Sequence, residues 1–300
     1  MSQVMSQAPE QALAGWQGHL QLDFSQVGQA TQMSRCHVQA PLKVQRPFYP
    51  EGESVCHVAM LHTAGGIVGG DRLSVDVRLN PGAHAVLTTA TAGKLYRSNG
   101  LESTQTIHLT AAPGACLEWL PQEMIVFEGA RFRQQVRVEL GAGALWFGWE
   151  VLRFGRSARG EGFAAGSWRS RTEVWQDGRL LWVDPQWLLG ESEMLKSPHG
   201  LAGCPVVGSF AVVGRSVERE LVEKARSLWQ GNLQDVSMGD RPAPTAHSSE
   251  VGVTRLMNGM LCRYRGKSTQ EARQWFTQVW HLLRAELLGR SPCVPRIWQL

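Results

Sequence analysis

Three times in its first half the chain writes an alternating strand, a small-residue turn and a second, more apolar strand. The copies are L-S-V-D-V-R-L before Pro81-Gly82-Ala83, T-Q-T-I-H-L before Pro113-Gly114-Ala115, and Q-V-R-V-E-L before Gly141-Ala142-Gly143. The turn glycines Gly82, Gly114 and Gly143 recur about every 30 residues, the spacing of stacked supersecondary units. Such units bury their apolar faces only against one another, so the repeat narrows the fold more than any catalytic motif does.

The leading strands have period two: Val75, Val77 and Leu79 share one face while Ser74, Asp76 and Arg78 share the other, and Val136, Val138 and Leu140 repeat the pattern. The trailing strands A-C-L-E-W-L and A-L-W-F-G-W are nearly continuous in apolar residues, as expected of burial on both faces. A looser fourth copy, R-S-R-T-E-V-W and R-L-L-W-V, is joined by Asp177-Gly178, a strong hairpin signal. The expected fold is mainly β, an elongated β-helix or β-solenoid-like stack of antiparallel strands. A two-sheet sandwich, with shorter and less regular spacing, is the competing architecture.

Two segments in the C-terminal third have helical periodicity. One is expected near 216–230, capped by Ser216, with Val217, Leu221, Ala225, Leu228 and Trp229 on its apolar face and Gly231 past its end. The other is expected near 268–289, opened by the capping-box spacing of Ser268 and Glu271 and closed at Gly289. The polar stretch between them predicts a long loop or local disorder, followed by strand character in E-V-G-V-T-R-L and G-M-L-C-R-Y-R. Residues 1–15 are expected to be a disordered tail, 16–300 a single β domain with the helices as decorations.

Composition closes off several classes. With 43% hydrophobic residues the chain can bury a large core, and a net charge of +4 from scattered Lys and Arg gives no nucleic-acid footprint. The six cysteines have no C-x-x-C pairing, which argues against a zinc module or a disulfide framework. Adjacent Cys36-His37 and Cys56-His57 offer one metal ligand each at most, because neighbours on a strand point to opposite faces. No secretory leader or membrane-length apolar run is legible, so a soluble cytosolic protein with reduced thiols is expected. Most of the twelve tryptophans fall on apolar faces and are expected in the core.

The glycine-rich run L-H-T-A-G-G-I-V-G-G-D-R-L, Leu61 to Leu73, has the look of a phosphate cradle but fails its spacing. Gly93-Lys94 is followed by Leu95 rather than Ser or Thr, and Asp71 would repel a phosphate. A glycine hinge between strands, with a buried Ile67-Val68 contact, fits as well. Glu118 and Glu123 are the nearest carboxylate pair, but ion pairing or turn capping explains them better than acid–base chemistry. There is no G-x-S-x-G elbow, and Ser98 has no implied base. No enzyme signature is present.

Read in order, P-L-K-V-Q-R-P-F (Pro41 to Phe48), H-T-A-G-G-I-V-G-G-D, T-A-G-K-L-Y-R-S (Thr91 to Ser98), L-E-W-L-P-Q-E-M-I-V-F-E-G-A and the closing P-R-I-W resemble the UreD/UreH family of urease accessory proteins. The resemblance runs from about residue 16 to the C-terminus, departing at Thr63-Ala64, where the family usually has a proline pair. It implies a non-enzymatic scaffold that joins a UreF-like protein and a UreG-like GTPase on apo-urease, with an elongated β-helix-like fold. It also implies that nickel is handled transiently, with no tightly bound cofactor and no nucleic-acid or membrane partner. By the same analogy nickel passes through an interior channel, with Asp71, Glu118, Glu123 and Glu128 as polar groups near the path and His62 as a softer ligand. Gly65, Gly66, Gly69, Gly70, Arg72 and Tyr96 are then structural or partner candidates, as are Arg296 and Trp298. Lys94 and Arg97 are expected to fix the loop by pairing with carboxylates. A stand-alone nickel store and, less favoured, a β-solenoid carbohydrate-active enzyme are the alternatives.

Overall fold

A computed structural model describes residues 15–156, 159–235 and 249–299. Residues 1–14, where most of the expected tail falls, and 236–248 of the expected polar loop lie outside the described residues.

Each repeat splits across two facing sheets. The leading strands form a seven-stranded sheet in the order β14 (Arg179–Leu189), β13 (Ser167–Gln176), β11 (Arg131–Leu140), β8 (Ser103–Ala111), β5 (Arg72–Leu79), β1 (Gln17–Val27), β2 (Ala30–Gln39). The trailing strands build a ten-stranded sheet. Its main path is β16 (Glu250–Leu256), β17 (Gly259–Gly266), β15 (Val206–Val213), β12 (Leu145–Phe154), β9 (Cys116–Trp119), β6 (His84–Thr89), β4 (Cys56–His62), β3 (Leu42–Val44), with short β7 (Gly93–Leu95) and β10 (Met124–Val126) alongside.

The turns that join the two sheets are tight arcs. Ala83 N donates to Asn80 O (3.1 Å), Ala115 N to Ala112 O (3.0 Å) and Ala144 N to Gly141 O (3.1 Å). Each arc needs one residue at positive φ, supplied by Gly82 (+72°), Gly114 (+69°) and Gly143 (+67°). The arcs also stack, Gly82 N donating to Pro113 O and Gly114 N to Ala142 O.

The solenoid-like stacking is present, but the expectation of antiparallel strands needs correction. β1, β5, β8, β11 and β13 run parallel, as do β4, β6, β9 and β12. Every copy crosses to the other sheet at its arc and returns to start again from the same edge, so copies must stack in one direction. Antiparallel pairing is confined to the ends of the stack, at β1–β2, β13–β14, β3–β4 and the β12–β15–β17–β16 run. The fourth copy is one of these ends: Asp177 (φ +49°) and Gly178 (φ +73°) close a hairpin within one sheet, as the Asp-Gly signal predicts.

Alternation sets the core between the sheets. Leu73, Val75, Val77 and Leu79 are at most 3% exposed, and each such side chain contributes about 1.5–3 kcal/mol. The trailing strands are buried on their second face as well, beneath α1 (Arg219–Asp235) and α2 (Thr269–Leu288). The helices are therefore a third layer rather than decorations: Trp275, Phe276, Val279, Trp280 and Leu283 of α2 share a core with Phe147, Trp149 and Val151 of β12. α2 is capped as expected, Ser268 Oγ accepting from Glu271 N (3.2 Å) and Gly289 closing it at φ +63°. Its Glu271 carboxylate goes to Ser249 and Tyr264 instead of back to Ser268. α1 begins at Arg219, three residues after the expected cap Ser216, and runs through Gly231 to Asp235. Tryptophan placement follows expectation, with Trp16 and Trp187 the exposed exceptions.

The ten-stranded sheet is interrupted at one place. After β6 the chain bulges at 90–92 before β7, and after β9 at 120–123 before β10. β12 passes both unbroken, pairing with β9 through Gly148 and with β10 from Leu152. Trp149, Glu150 and Val151 thus have no strand partner on that side, which leaves a slit in the sheet.

Candidate functional site

Stacking copies in register turns one polar residue per strand into a ladder. Gln105 of β8 pairs with Gln134 of β11, Gln134 with Ser170 of β13, and Ser170 with Gln186 of β14, all on the inward face. The next row ends in Thr172 and Asp184. From the other sheet Glu150 of β12, Ser209 of β15 and Arg263 of β17 form the facing row. Short or polar side chains cannot fill the space that Leu or Phe would, so a cavity of about 490 Å³ opens between the sheets, reaching the slit at Thr89 and Gln122.

Gln134 Nε2 donates to Glu150 Oε1 (2.7 Å) and to Ser170 Oγ (3.2 Å). Asp184 accepts from Arg263 Nη2 (2.5 Å) and Gln186 Nε2 (2.8 Å). Burial, followed by the nearby Asp184 charge, pushes the Glu150 carboxyl up from 4.5 to about 7 against the help of the Gln134 and Ser170 hydrogen bonds. The Trp146 indole N–H, in the wall of the cavity, is buried without a protein partner. A site with hard oxygen donors and a carboxyl that ionises near neutrality can exchange a proton for a cation.

Among the residues marked by the sequence, His62 lies in this wall. It closes β4 with both ring nitrogens unpartnered, and burial lowers its pKa despite the Asp71 charge, so the ring is neutral with free nitrogens. Asp71 is fully buried but spends its carboxylate on Trp16 N (2.8 Å) and Val68 N (3.0 Å), fastening the glycine-rich loop to the first strand. In that loop Ile67 is buried while Val68 is exposed, so the expected buried pair is one residue. Gly65 and Gly66 line the cavity, and Gly66 (φ +154°) leaves no room for a Cβ against Tyr96. Tyr96 OH in turn donates to Gly65 O (3.4 Å). A Cβ at Gly69 would meet Ser98 Oγ, and Gly70 has φ +91°. Arg72 is exposed, its N–H bonded to Trp16 O. Arg97 pairs with the partly exposed Glu128 at 3.9 Å. Lys94 makes no ion pair among the described residues and holds the loop through its carbonyl, which accepts from Ile67 N (2.8 Å).

Glu118 and Glu123 face the helical side of the sheet. Glu123 pairs with Arg273 (3.2 Å) beside the slit. Glu118 is fully buried, bonded to His84 Nε2 (2.5 Å) and the Trp280 indole, with Arg284 Nε 3.3 Å away. Arg284 also grips Glu51 through two short contacts (2.8 and 2.7 Å), and Glu51 accepts from His57. Burial would raise Glu118, but His84 and Arg284 hold its pKa below the ordinary value. His84, Cys116 and Glu118 place one donor atom each within 4.8 Å of one another. The guanidinium already fills the cation's role, and burial followed by the Glu118 charge keeps the Cys116 thiol protonated. The cluster reads as an ion-pair network pinning α2 to the sheet. Trp298 adds a second pin, donating to Thr88 Oγ1 (2.8 Å) and packing on Trp149 (5.2 Å) and Trp280 (5.7 Å), whereas Arg296 is exposed.

Sequence reasoning passed over Glu150, Asp184, Gln105 and Gln134. A signal was present: Gln105 and Gln134 each occupy an inward phase of an alternating strand, at equivalent places in successive copies.

Fold and cavity together define a mainly β, solenoid-like protein hollowed by a space between its sheets, largely apolar in lining and crossed by one polar ladder. The sequence matches the family described as UreD urease accessory protein over residues 17–299. It is 56% identical to the urease accessory protein UreD of Nostoc sp. PCC 7120 over 95% of this chain and 96% of that one. Identity is 55% to the UreD of Acaryochloris marina over 99% and 100% of the two chains, and 42% to that of Synechocystis sp. PCC 6803 over 89% and 94%. The chain belongs to the UreD family. Among the described residues no helix is long and apolar enough to cross a membrane.

Proposed function

We propose that the protein is a cytoplasmic, non-enzymatic urease maturation factor. In this reading it joins a UreF-like protein and a UreG-like GTPase on apo-urease, and nickel reaches the urease active site through the cavity between its sheets. The family membership supports the maturation role. The observation that carries the path is the polar ladder from Gln105 to Asp184 with Glu150 opposite, inside a space large enough for a hydrated ion. Oxygen donors spaced along a wet path bind a divalent ion weakly and repeatedly, as passage requires, while protecting it from competing chelators. The slit beside Gln122, flanked by Arg273 and Trp298, is the natural lateral opening. Nucleotide hydrolysis would come from the GTPase in trans, consistent with the failed phosphate-loop spacing.

The test is a Glu150→Gln/Asp184→Asn double variant and a Thr172→Phe obstruction, each scored for urease activation in nickel and for co-purification of the accessory complex. Activation should fall severalfold while the complex persists. Full activation with either variant in an intact complex would refute the interior path.

A further inference from the structure

The same stacking acts on the outer face of the seven-stranded sheet, where it sorts charge along the strands. At one end of this face a single row runs Gln17, Arg72, Thr104, Arg133, Arg169, Trp187 across β1, β5, β8, β11, β13 and β14. The row on its inner side passes from His19 through Arg171 to Pro185, and the row at the rim holds Arg131, Ser167 and Leu189. None of these rows contains an acid, whereas Asp23, Asp76, Glu139 and Glu173 all stand in the two rows beyond. Arginines that are scattered along the sequence are thus gathered on one patch by the register.

We propose that this patch docks an acidic, extended segment of a partner protein that carries an apolar side chain at one end. Arg72, Arg131 and Arg169 are exposed and make no ion pair among the described residues. Arg133 and Arg171 are engaged, by Glu102 (3.1 Å) and Glu173 (2.6 Å). Guanidinium groups take carboxylates in two-pronged hydrogen bonds, so an acidic segment is the charge complement of the free three. The Arg169 guanidinium lies over the Trp187 ring, 4.3 Å from its centroid, which holds the cation in place without neutralising it. Trp187 nevertheless stays 59% exposed, and with Pro185 and Leu189 it makes an apolar stripe along β14 beside the cations. Exposed tryptophan next to arginine is the composition of binding hot spots. The stripe also decides the class of partner, because Pro185 and Leu189 offer a phosphate nothing, while they suit an apolar side chain of a protein segment. From β5 to β14 is four strand spacings, about 19 Å, the span of about six extended residues.

The patch lies on the opposite face of the sheet from the cavity, so docking there does not depend on the interior path. The probe is a fluorescein-labelled Glu-rich hexapeptide ending in Leu-Phe, titrated into the whole chain at low salt and read by fluorescence anisotropy. Binding should saturate, weaken as salt rises, and be lost when the Glu residues of the peptide become Gln. Arg72→Glu/Arg169→Glu should weaken it about tenfold and Trp187→Ala by less, with far-UV circular dichroism unchanged. Arg219→Glu/Arg255→Glu, the same change of net charge at exposed positions on α1 and β16, should leave it intact. Arg169→Lys keeps the charge, and a water-soluble carbodiimide should join the new amine to a carboxylate of the bound peptide, the link being located by mass spectrometry. No saturable binding, equal loss in the two double variants, no link in Arg169→Lys, or tighter binding of an oligothymidylate of equal charge would each overturn the proposal.

Discussion

Replacing Glu150 with Gln should make the protein more stable at pH 8 and leave it about as stable at pH 5. In the folded state burial holds this carboxyl at about 7, against 4.5 for an ordinary glutamate. Between those values the unfolded chain has released the proton and the native chain keeps it, so stability falls as pH rises through the window. At about 1.4 kcal/mol per pH unit the full displacement corresponds to about 3 kcal/mol, a ceiling because the carboxyl borders the cavity and is only partly buried. The fall is complete above pH 7. Glutamine keeps the shape and can still accept from Gln134, but has no proton to lose. Urea unfolding of both proteins at intervals from pH 4.5 to 8.5 would read the difference as a pH-dependent shift in midpoint. A gap that stays constant across that range would refute the reasoning, because it would mean that Glu150 titrates as a solvated carboxylate.

Glu51 predicts the opposite slope: although burial acts to raise it, the His57 hydrogen bond and the Arg284 charge hold it at about 2, so its stabilisation is present above pH 4.5 and is lost as pH falls toward 2. Acid unfolding of Glu51→Gln should lack about 3 kcal/mol of that fall. Arg284→Met leaves Glu118 and Glu51 buried without their cation and should cost about 3–5 kcal/mol in chemical denaturation; a loss under about 1 kcal/mol would show that His84 and His57 suffice. Trp298→Ala removes the Thr88 hydrogen bond and the packing on Trp149 and Trp280, and should cost about 3 kcal/mol, read as a lowered Tm. Gly148→Ala drives a Cβ into the Trp146 ring, so the indole must move into the cavity; a loss of about 1–3 kcal/mol with a shift in near-UV circular dichroism is expected.

Local pattern made the strands, the arcs at Gly82, Gly114 and Gly143, the Asp177-Gly178 hairpin and the caps of α2 legible, because each is decided within a few residues. Strand direction was not, since strand–turn–strand reads alike whether the halves pair with each other or with the next copy. Start signals misled at α1: Ser216 has the chemistry of a cap, yet the chain turns helical only at Arg219. Of the residues marked for the nickel path by family analogy, Asp71 and Glu118 are buried in local bonding, and His62 is the one found in the cavity wall, beside the marked loop residues Gly65, Gly66 and Lys94. Glu150 was hidden in L-W-F-G-W-E-V-L-R-F, where a single acid in an apolar strand gives no hint of which face it takes.

The repeat that fixes the fold also builds the chemistry, and this explains why motif searches miss it. In a stack with a period near 30 residues, functional neighbours are separated by one period rather than by three or four residues. Gln105 and Gln134 meet inside in this way, and Arg72, Thr104 and Arg133 line up outside. Alternation then sends the two rows to opposite faces of one sheet, so a single register creates a sheltered ladder of oxygen donors and an open row of arginines at once. The two rows are nevertheless separable by substitution, because side chains on opposite faces share backbone but no contacts. Shifting the register of β5 against β8 by one residue would exchange the faces and lose both.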